Sequence, residues 1–146
     1  MILPDANVLI YAANRDAADH RPALQWMEIP LSRGEDVRLA WLVVLAFLRV
    51  TTHPGILPAP LTVKSAFSAV DAWLNHPSVS IAHPGPEHGT ILRRLFEQSG
   101  TSGNLASDAH LAALAIEHDA ELITFDNDFA RFPGLRWRNP LRSPLQ

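Results

Sequence analysis

The residues Ile2-Leu3-Pro4-Asp5-Ala6-Asn7-Val8-Leu9-Ile10 decide how the rest of the chain is read. A short apolar run meets a carboxylate and then an amide, and a second apolar run with helical spacing follows at once. This pattern predicts a buried strand ending at Asp5 and a helix starting near Asn7. In open α/β sheets, ligands sit beyond the carboxyl ends of the strands. Asp5 therefore stands where chemistry is usually done. It also stands where an acid commonly caps a helix, and this stretch alone does not choose between the two.

The downstream pattern repeats the same alternation. A helix is predicted over His20 to Ser32, with Asp19 as its cap, Pro22 in its first turn and Ala23, Leu24, Met27 and Leu31 toward the core. Val37 to Trp41 reads as a second strand passing into a helix at Val43 to Thr51. Thr62 caps a helix whose Val63, Phe67, Val70 and Leu74 follow the 3.6-residue period. Val79 to Ala82 is a third strand, Glu87 to Ser99 a helix ending in Gly100, and Thr101 to Asn104 a flexible loop. An apolar helix from Ala106 to His118 leads into a fourth strand, Leu122 to Phe125, which ends at Asp126. Phe129 to Pro133 reads as a short turn or helix, Leu135 to Arg138 as an edge strand, and 139–146 as a loose tail. Short strands alternating with helices argue for a parallel sheet covered on both faces. The fold class is α/β, one domain over residues 1–146, with four to five short, mostly parallel strands.

Composition agrees and narrows the functional classes. A chain of 146 residues with 47% hydrophobic and 18% charged residues is globular and long enough to bury a core. The net charge of −3 exerts no general pull on nucleic acid, although local patches outweigh the sum. With no cysteine there is neither a disulfide framework nor a thiolate metal site. No basic segment precedes an apolar core at the N-terminus, and the run Leu39 to Leu48 is far short of the ~20 residues of a membrane helix. The expectation is a soluble, cytoplasmic protein with no membrane association. Arginine outnumbers lysine, with Lys64 the only lysine, which reads first as genomic base composition. After Asp128 no acid follows, whereas Arg131, Arg136, Arg138 and Arg142 do.

Two further acids repeat the placement of Asp5. Asp126 follows the fourth strand, with Asp128 two residues on, and Asp108 lies in the first turn of the apolar helix, where the helix dipole favours negative charge. If the strands bearing Asp5 and Asp126 are neighbours, their carboxylates share a cleft that the Asp108 helix start also reaches. Such acids repel and raise one another's pKa unless a cation joins them. Mg²⁺ or Mn²⁺, hard ions that take oxygen ligands and keep several waters, are the natural partners. Each acid alone is more often a cap or turn residue; the coincidence of three shifts the balance toward a site. His110 and His118 lack the i,i+4 spacing of a zinc-protease pair. His110 reads as packing beside the site, His118 as solvent-facing, and His83 and His88 as surface residues. Trp26, Trp41, Trp73 and Trp137 read as core or interface.

These residues carry a resemblance. Pro4-Asp5-Ala6-Asn7, Asp108-Ala109-His110-Leu111-Ala112-Ala113-Leu114-Ala115 and Thr124-Phe125-Asp126-Asn127-Asp128-Phe129, followed by Arg131-Phe132-Pro133-Gly134-Leu135, are similar to PIN-domain proteins, most of all to VapC-type toxins of toxin–antitoxin pairs. The resemblance runs from Asp5 to Pro140. It implies a three-layer sandwich and a Mg²⁺- or Mn²⁺-dependent endoribonuclease, forming a homodimer and inhibited by a VapB-like antitoxin. It further implies metal-site acids at Asp5, Asp108 and Asp126, support by hydrogen bonds from Asn7 and Thr124, and an additional acid at Asp128. Arg49 and Arg131 are candidate RNA-phosphate contacts; the whole stretch from Arg131 to Arg142 is a candidate guide for an RNA backbone.

One departure stands out. The family usually carries a glutamate just before a pattern like Phe47-Leu48-Arg49-Val50, and here that position is Ala46. A second reading follows: a catalytically weakened module that binds RNA or a partner. A third, an aspartyl-phosphate phosphatase using Asp5 as nucleophile, wants an aspartate where Asn7 stands and a lysine near the later acids, and Lys64 is remote from them.

Overall fold

The strand that ends at Asp5 is buried along its whole length, and the sheet is built outward from it. The computed structural model describes residues 1–100 and 105–142. Its strands are β1 (Ile2–Pro4), β2 (Val37–Leu39), β3 (Val79–Ile81), β4 (Glu121–Ile123) and β5 (Trp137–Arg138). They lie in the order β3-β2-β1-β4-β5, and every neighbouring pair is parallel. The helices are α1 (Ala6–Ala13), α2 (His20–Ser32), α3 (Trp41–Thr51), α4 (Val63–Leu74), α5 (His88–Ser99) and α6 (Leu105–Glu117), with a 3₁₀ turn at Asn127–Arg131. Parallel strands need crossovers that cover both faces. The helices accordingly pack in two groups, α1 with α2 and α3 and α3 with α4, and α5 with α6. The architecture is the parallel sheet covered on both faces that the alternating pattern implied, and the three-layer sandwich that the resemblance implied.

This strand order puts a switch point between β1 and β4. From β1 the chain moves out to β2 and β3; it then returns to the other side of β1 for β4 and β5. In doubly wound sheets the ligand crevice lies at the switch point, outside the carboxyl ends. The register pairs Pro4 with Ile123, so Asp5 and Thr124 leave the sheet side by side, and the Asp5 N–H donates to the Ile123 carbonyl at 2.8 Å.

Several boundaries and faces differ from the sequence expectation for identifiable reasons. The second strand stops at Leu39, and α3 starts at Trp41, because Ala40 is extended and its carbonyl accepts from both Val43 and Val44. Trp41, expected in core or interface, is half exposed at 49%. Asp19 makes no side-chain cap to α2. Thr62 does cap α4, accepting from the Ser65 N–H at 3.1 Å. That helix is rotated, however: Ala66 and Val70 are buried, while Val63 and Phe67 are 64% and 48% exposed. The edge-to-face contact of Phe47 with Trp73, centroids 5.1 Å apart, sets this rotation by seating Trp73 against α3.

The last strand is at the sheet edge as expected, but residues 139–146 are not uniformly loose. Asn139 is buried at 5%, and its amide donates to the Phe125 carbonyl and to Asn127 Oδ1. The Thr101–Asn104 loop and residues 143–146 lie outside the described residues. Among the described residues no helix is long and apolar enough to cross a membrane.

Candidate functional site

Asp5 caps α1 and also lines the crevice at the strand ends, where the sequence made it a candidate. Its Oδ1 accepts from the Ala6 N–H at 2.7 Å, opening α1. Its Oδ2 accepts from the Thr124 hydroxyl at 2.7 Å and from the Asn7 amide at 3.2 Å. An ionised carboxylate offers about four lone-pair sites; with three filled by the protein, roughly one remains for an ion. Asn7 is fully engaged as well: its amide also reaches Thr124 Oγ1, and its carbonyl accepts from the Phe125 N–H. Thr124, wholly buried, in turn accepts from the Asp126 N–H at 3.0 Å. One short network thus ties the ends of β1 and β4 together and fixes Asp5 and the backbone at Asp126.

Asp126 is a cap as well, its Oδ1 accepting from the Asp128 N–H at 2.8 Å at the start of the 3₁₀ turn. Asp108 enters from the first turn of α6. A helix as apolar as α6, with Leu105, Ala109 and Leu111–Ala115 all buried, is held against the sheet by its core face. That packing delivers Asp108 to the rim of the crevice. Asp5 and Asp108 line one cavity of about 360 Å³ together with Ala6, Leu42, Val43, Leu45, Ala46, Arg49, Ser107 and Leu111.

The electrostatics show how closely these acids feel one another. Burial pushes the Asp5 carboxyl above its ordinary value; bonds from Thr124, Ala6 and Asn7 oppose this, while the charge of Asp126 adds to it. Burial likewise raises Asp108, reinforced by Asp5, Asp126 and Asp128 and opposed by Arg131. Carboxylates crowded in this way are the arrangement a cation relieves. Among the described residues no three acidic or histidine side chains close a metal cage by themselves. The donor set is all oxygen, so it fits a hard divalent ion that keeps several waters and is shared with a phosphate.

The remaining candidates divide. Arg49 is exposed at the cavity edge, on the α3 turn that follows Ala46. Asp128 is turned outward, 73% exposed, with Oδ2 at 3.5 Å from Arg131, whose Nε donates to the Asp128 carbonyl. Arg136 and Arg138 are occupied by Asp119 and Glu121 at 2.8 and 3.0 Å. The basic tail expected to guide a backbone is therefore partly neutralised by acids upstream.

His88 is not a surface residue but 8% exposed, with Nε2 at 3.0 Å from Nδ1 of His110. Burial, then the charge of His88, holds His110 below the usual imidazole range. His88 is drawn in because Glu117 accepts from the Gly85 and Glu87 N–H groups, pinning the start of α5 onto α6. Sequence reasoning missed the cavity wall, Leu42, Leu45, Ser107 and Leu111, because those residues carry no charge pattern. It also missed Asn139, which anchors the loop after β4.

A doubly wound α/β domain with an acidic crevice at its switch point is the class that fold and site define. This chain belongs to the PIN-domain family, whose model matches residues 2–135. Among curated proteins it is similar to Ribonuclease VapC37 of Mycobacterium tuberculosis, 44% identical over 140 residues, covering 96% of this chain and 97% of the relative. Ribonuclease VapC33 of the same species is 39% identical over 142 residues, covering 97% and 99%. In fold it resembles VapBC2 from Rickettsia felis, solved bound to a DNA fragment from its promoter, with a TM-score of 0.68 at 20% identity, covering 95% of this chain and 98% of that one. It also resembles Mycobacterium tuberculosis VapC20, described as a sarcin–ricin loop cleaving toxin, with a TM-score of 0.66 at 17% identity, covering 93% and 99%.

Proposed function

We propose that this protein is a divalent-metal-dependent endoribonuclease, the toxin of a cytoplasmic toxin–antitoxin pair. The observation that carries the reading is the Asp5 carboxylate, fixed by Ala6, Thr124 and Asn7 at the switch point and sharing a cavity with Asp108. The curated ribonucleases alike over nearly the whole chain supply the substrate class, RNA.

Asp5, Asp108 and Asp126 are the residues to hold Mg²⁺ or Mn²⁺, with Asp128 outside them. When bound, such an ion supplies positive charge for the phosphate and lowers the pKa of a water nucleophile. The chain's own part is placement. Thr124 and Asn7 keep Asp5 ionisable and in one orientation, and the Asp126 backbone is held by the same threonine hydroxyl. Arg49 at the cavity edge, and Arg131, whose charge reaches Asp108, are the candidates to bind phosphate oxygens beside the cut. Asp108 is carried by the first turn of α6 and Asp126 by the cap of the 3₁₀ turn after β4, so different elements hold the two acids.

A VapB-like antitoxin is the proposed protein partner, supported by the VapBC structures of like fold. Val63 and Phe67, one turn apart on the outer face of α4, offer apolar surface to a partner. A homodimer is part of the same proposal.

The test is cleavage of a mixed cellular RNA pool with Mg²⁺, with Mn²⁺ and with EDTA, Asp5→Asn serving as control. Metal-dependent cuts at defined sites, absent in Asp5→Asn, are the expected result. Cutting no greater than that of Asp5→Asn, at every metal concentration, overturns the reading. One observation favours a second reading, that of a weakened binding module: Ala46, where the resemblance led to the expectation of a glutamate, lines the cavity with no more than a methyl group. A module that holds no ion shows no metal-dependent rise in stability, whereas an ion bound to the folded state must raise it.

A further inference from the structure

We propose that the cavity beside Asp5 and Asp108 is a nucleobase subsite: it receives the unstacked base of the nucleotide adjoining the scissile phosphate, against the aliphatic wall of α3 and α6. The proposal rests on the nuclease reading above and adds a specificity determinant to it.

The cavity measures about 360 Å³, within the roughly 300–1,000 Å³ of pockets that take small organic groups. An octahedral ion with all its waters needs roughly 180 Å³ at about 30 Å³ per water. An ion at the carboxylates therefore leaves room for a second occupant.

Leu42, Leu45, Ala46 and Leu111 give the lining its apolar part, and Ser107, Arg49 and the two carboxylates its polar part. An apolar wall with a few convergent polar groups is the usual make-up of a pocket for a flat organic ring. Leu45 is 60% exposed, so its apolar surface is uncovered at the pocket edge. Position 46 also decides what can enter: a glutamate there would fill this space with charge, while the methyl group of Ala46 leaves it open to a ring.

Arg49 follows Leu45 by four residues, so the two share a face of α3 about one helical turn apart. A base against Leu45 and Ala46 directs its own phosphate toward the Arg49 fork, which suits phosphate oxygens. Sequence-specific RNA recognition works on such unstacked single-stranded bases.

The experiment is a binding titration that involves no cleavage. Ribose 5-phosphate and the four nucleoside 5′-monophosphates are titrated, with Mg²⁺ present, into the protein, followed by amide NMR shifts. At least one nucleotide is expected to bind about tenfold tighter than the sugar phosphate, with shifts on the α3 segment 42–49 and at 107–111. Ala46→Leu, which fills the space with a good helix former, should bring that nucleotide to the level of ribose 5-phosphate and leave the sugar phosphate unchanged. Leu45→Ala, at an exposed position, should erode the same advantage several-fold. Equal affinity for nucleotides and sugar phosphate overturns the proposal, as does a nucleotide advantage that survives Ala46→Leu. Two Mn²⁺ ions in the parent and one in Ala46→Leu would assign the cavity to metal and overturn it too. Failure of the RNA-pool assay leaves each of these outcomes readable, so the two proposals fail separately.

Discussion

The Thr124 hydroxyl donates to Asp5 Oδ2 at 2.7 Å across a sequence separation of 119 residues, joining the ends of the central strand β1 and its neighbour β4 by one side-chain bond. The same oxygen accepts from the Asp126 N–H and the Asn7 amide. One buried atom therefore orders two of the three acids.

Thr124→Val, close in shape but without the hydroxyl, removes all of these bonds at once. Thr124 is the foremost of the contacts that lower the Asp5 pKa, so that carboxyl rises further and holds a cation less well. Outer partners of metal ligands are worth about 10–100-fold in affinity or activity, and stranding buried polar groups costs about 1–3 kcal/mol. Mn²⁺ titration and urea unfolding should show both losses, with Thr124→Ser retaining most of the function. Unchanged Mn²⁺ affinity in the valine protein would remove Thr124 from the site.

Asp108 predicts an opposition between stability and chemistry. Burial first, then Asp5 and Asp126, holds its carboxyl above the ordinary 3.8, so the folded chain keeps that proton more readily than the unfolded one. The stability this group contributes is fully present below its unfolded pKa and is lost as pH rises through its folded pKa. Asp108→Asn, neutral at every pH, should melt higher than the parent in EDTA near neutrality, the gap closing toward about pH 4. Added Mn²⁺ should reverse the order, since only the parent keeps the full acid set. Melting curves across this pH range, with and without Mn²⁺, provide the check.

Ala46→Glu places a further carboxylate in the wall that Asp5 and Asp108 already share. Like charges in one cavity raise each other and burden the metal-free fold, while each added oxygen ligand favours a divalent ion. The expected signature is a lower melting temperature in EDTA together with a larger rise on adding Mn²⁺, tighter by about tenfold in Kd, equivalent to ~1.4 kcal/mol. A protein that melts lower in EDTA and gains no extra metal response would show that position 46 does not face the ion.

How far the sequence can be read varies with the kind of signal. Strands flanked by acids at their carboxyl ends place Asp5 and Asp126 beyond two strand ends before any contact is known, because a parallel α/β pattern constrains where such residues lie, and the two strands prove to be neighbours. The span of α2 is readable to the residue, from His20 to Ser32. The start of α3 is not: Leu39 to Leu48 is apolar without interruption, and an unbroken run has no period to mark where strand becomes helix. The face of α4 is obscured for a related reason, since Val63 and Phe67 keep helical spacing but the small Ala66 and the Trp73 contact set which side is buried. His88 reads as a surface residue because nothing local signals Glu117, thirty residues beyond Glu87, as the partner of its loop. Contacts of that range belong to the fold rather than to any motif.

Glu117 separates scaffold from site. Its two carboxylate oxygens accept from the Gly85 N–H at 2.6 Å and the Glu87 N–H at 2.9 Å, holding the turn before α5 onto the end of α6. The turn is so close that a Cβ on Gly85 would lie 2.9 Å from the Glu117 carboxylate. Glu117→Gln turns one acceptor into a donor aimed at a backbone N–H, and a hydrogen bond to a charged group is worth about 1.5–3 kcal/mol. The loss should appear in urea unfolding and as faster amide exchange over residues 85–88, where His88 is seated. Glu117 lies more than two helical turns from Asp108 along α6, so Mn²⁺ affinity and the cleavage pattern should stay as in the parent. A Glu117→Gln protein of parental stability that has lost metal affinity would mean that α6 carries strain from its far end to the acids, and that scaffold and site are not separable there.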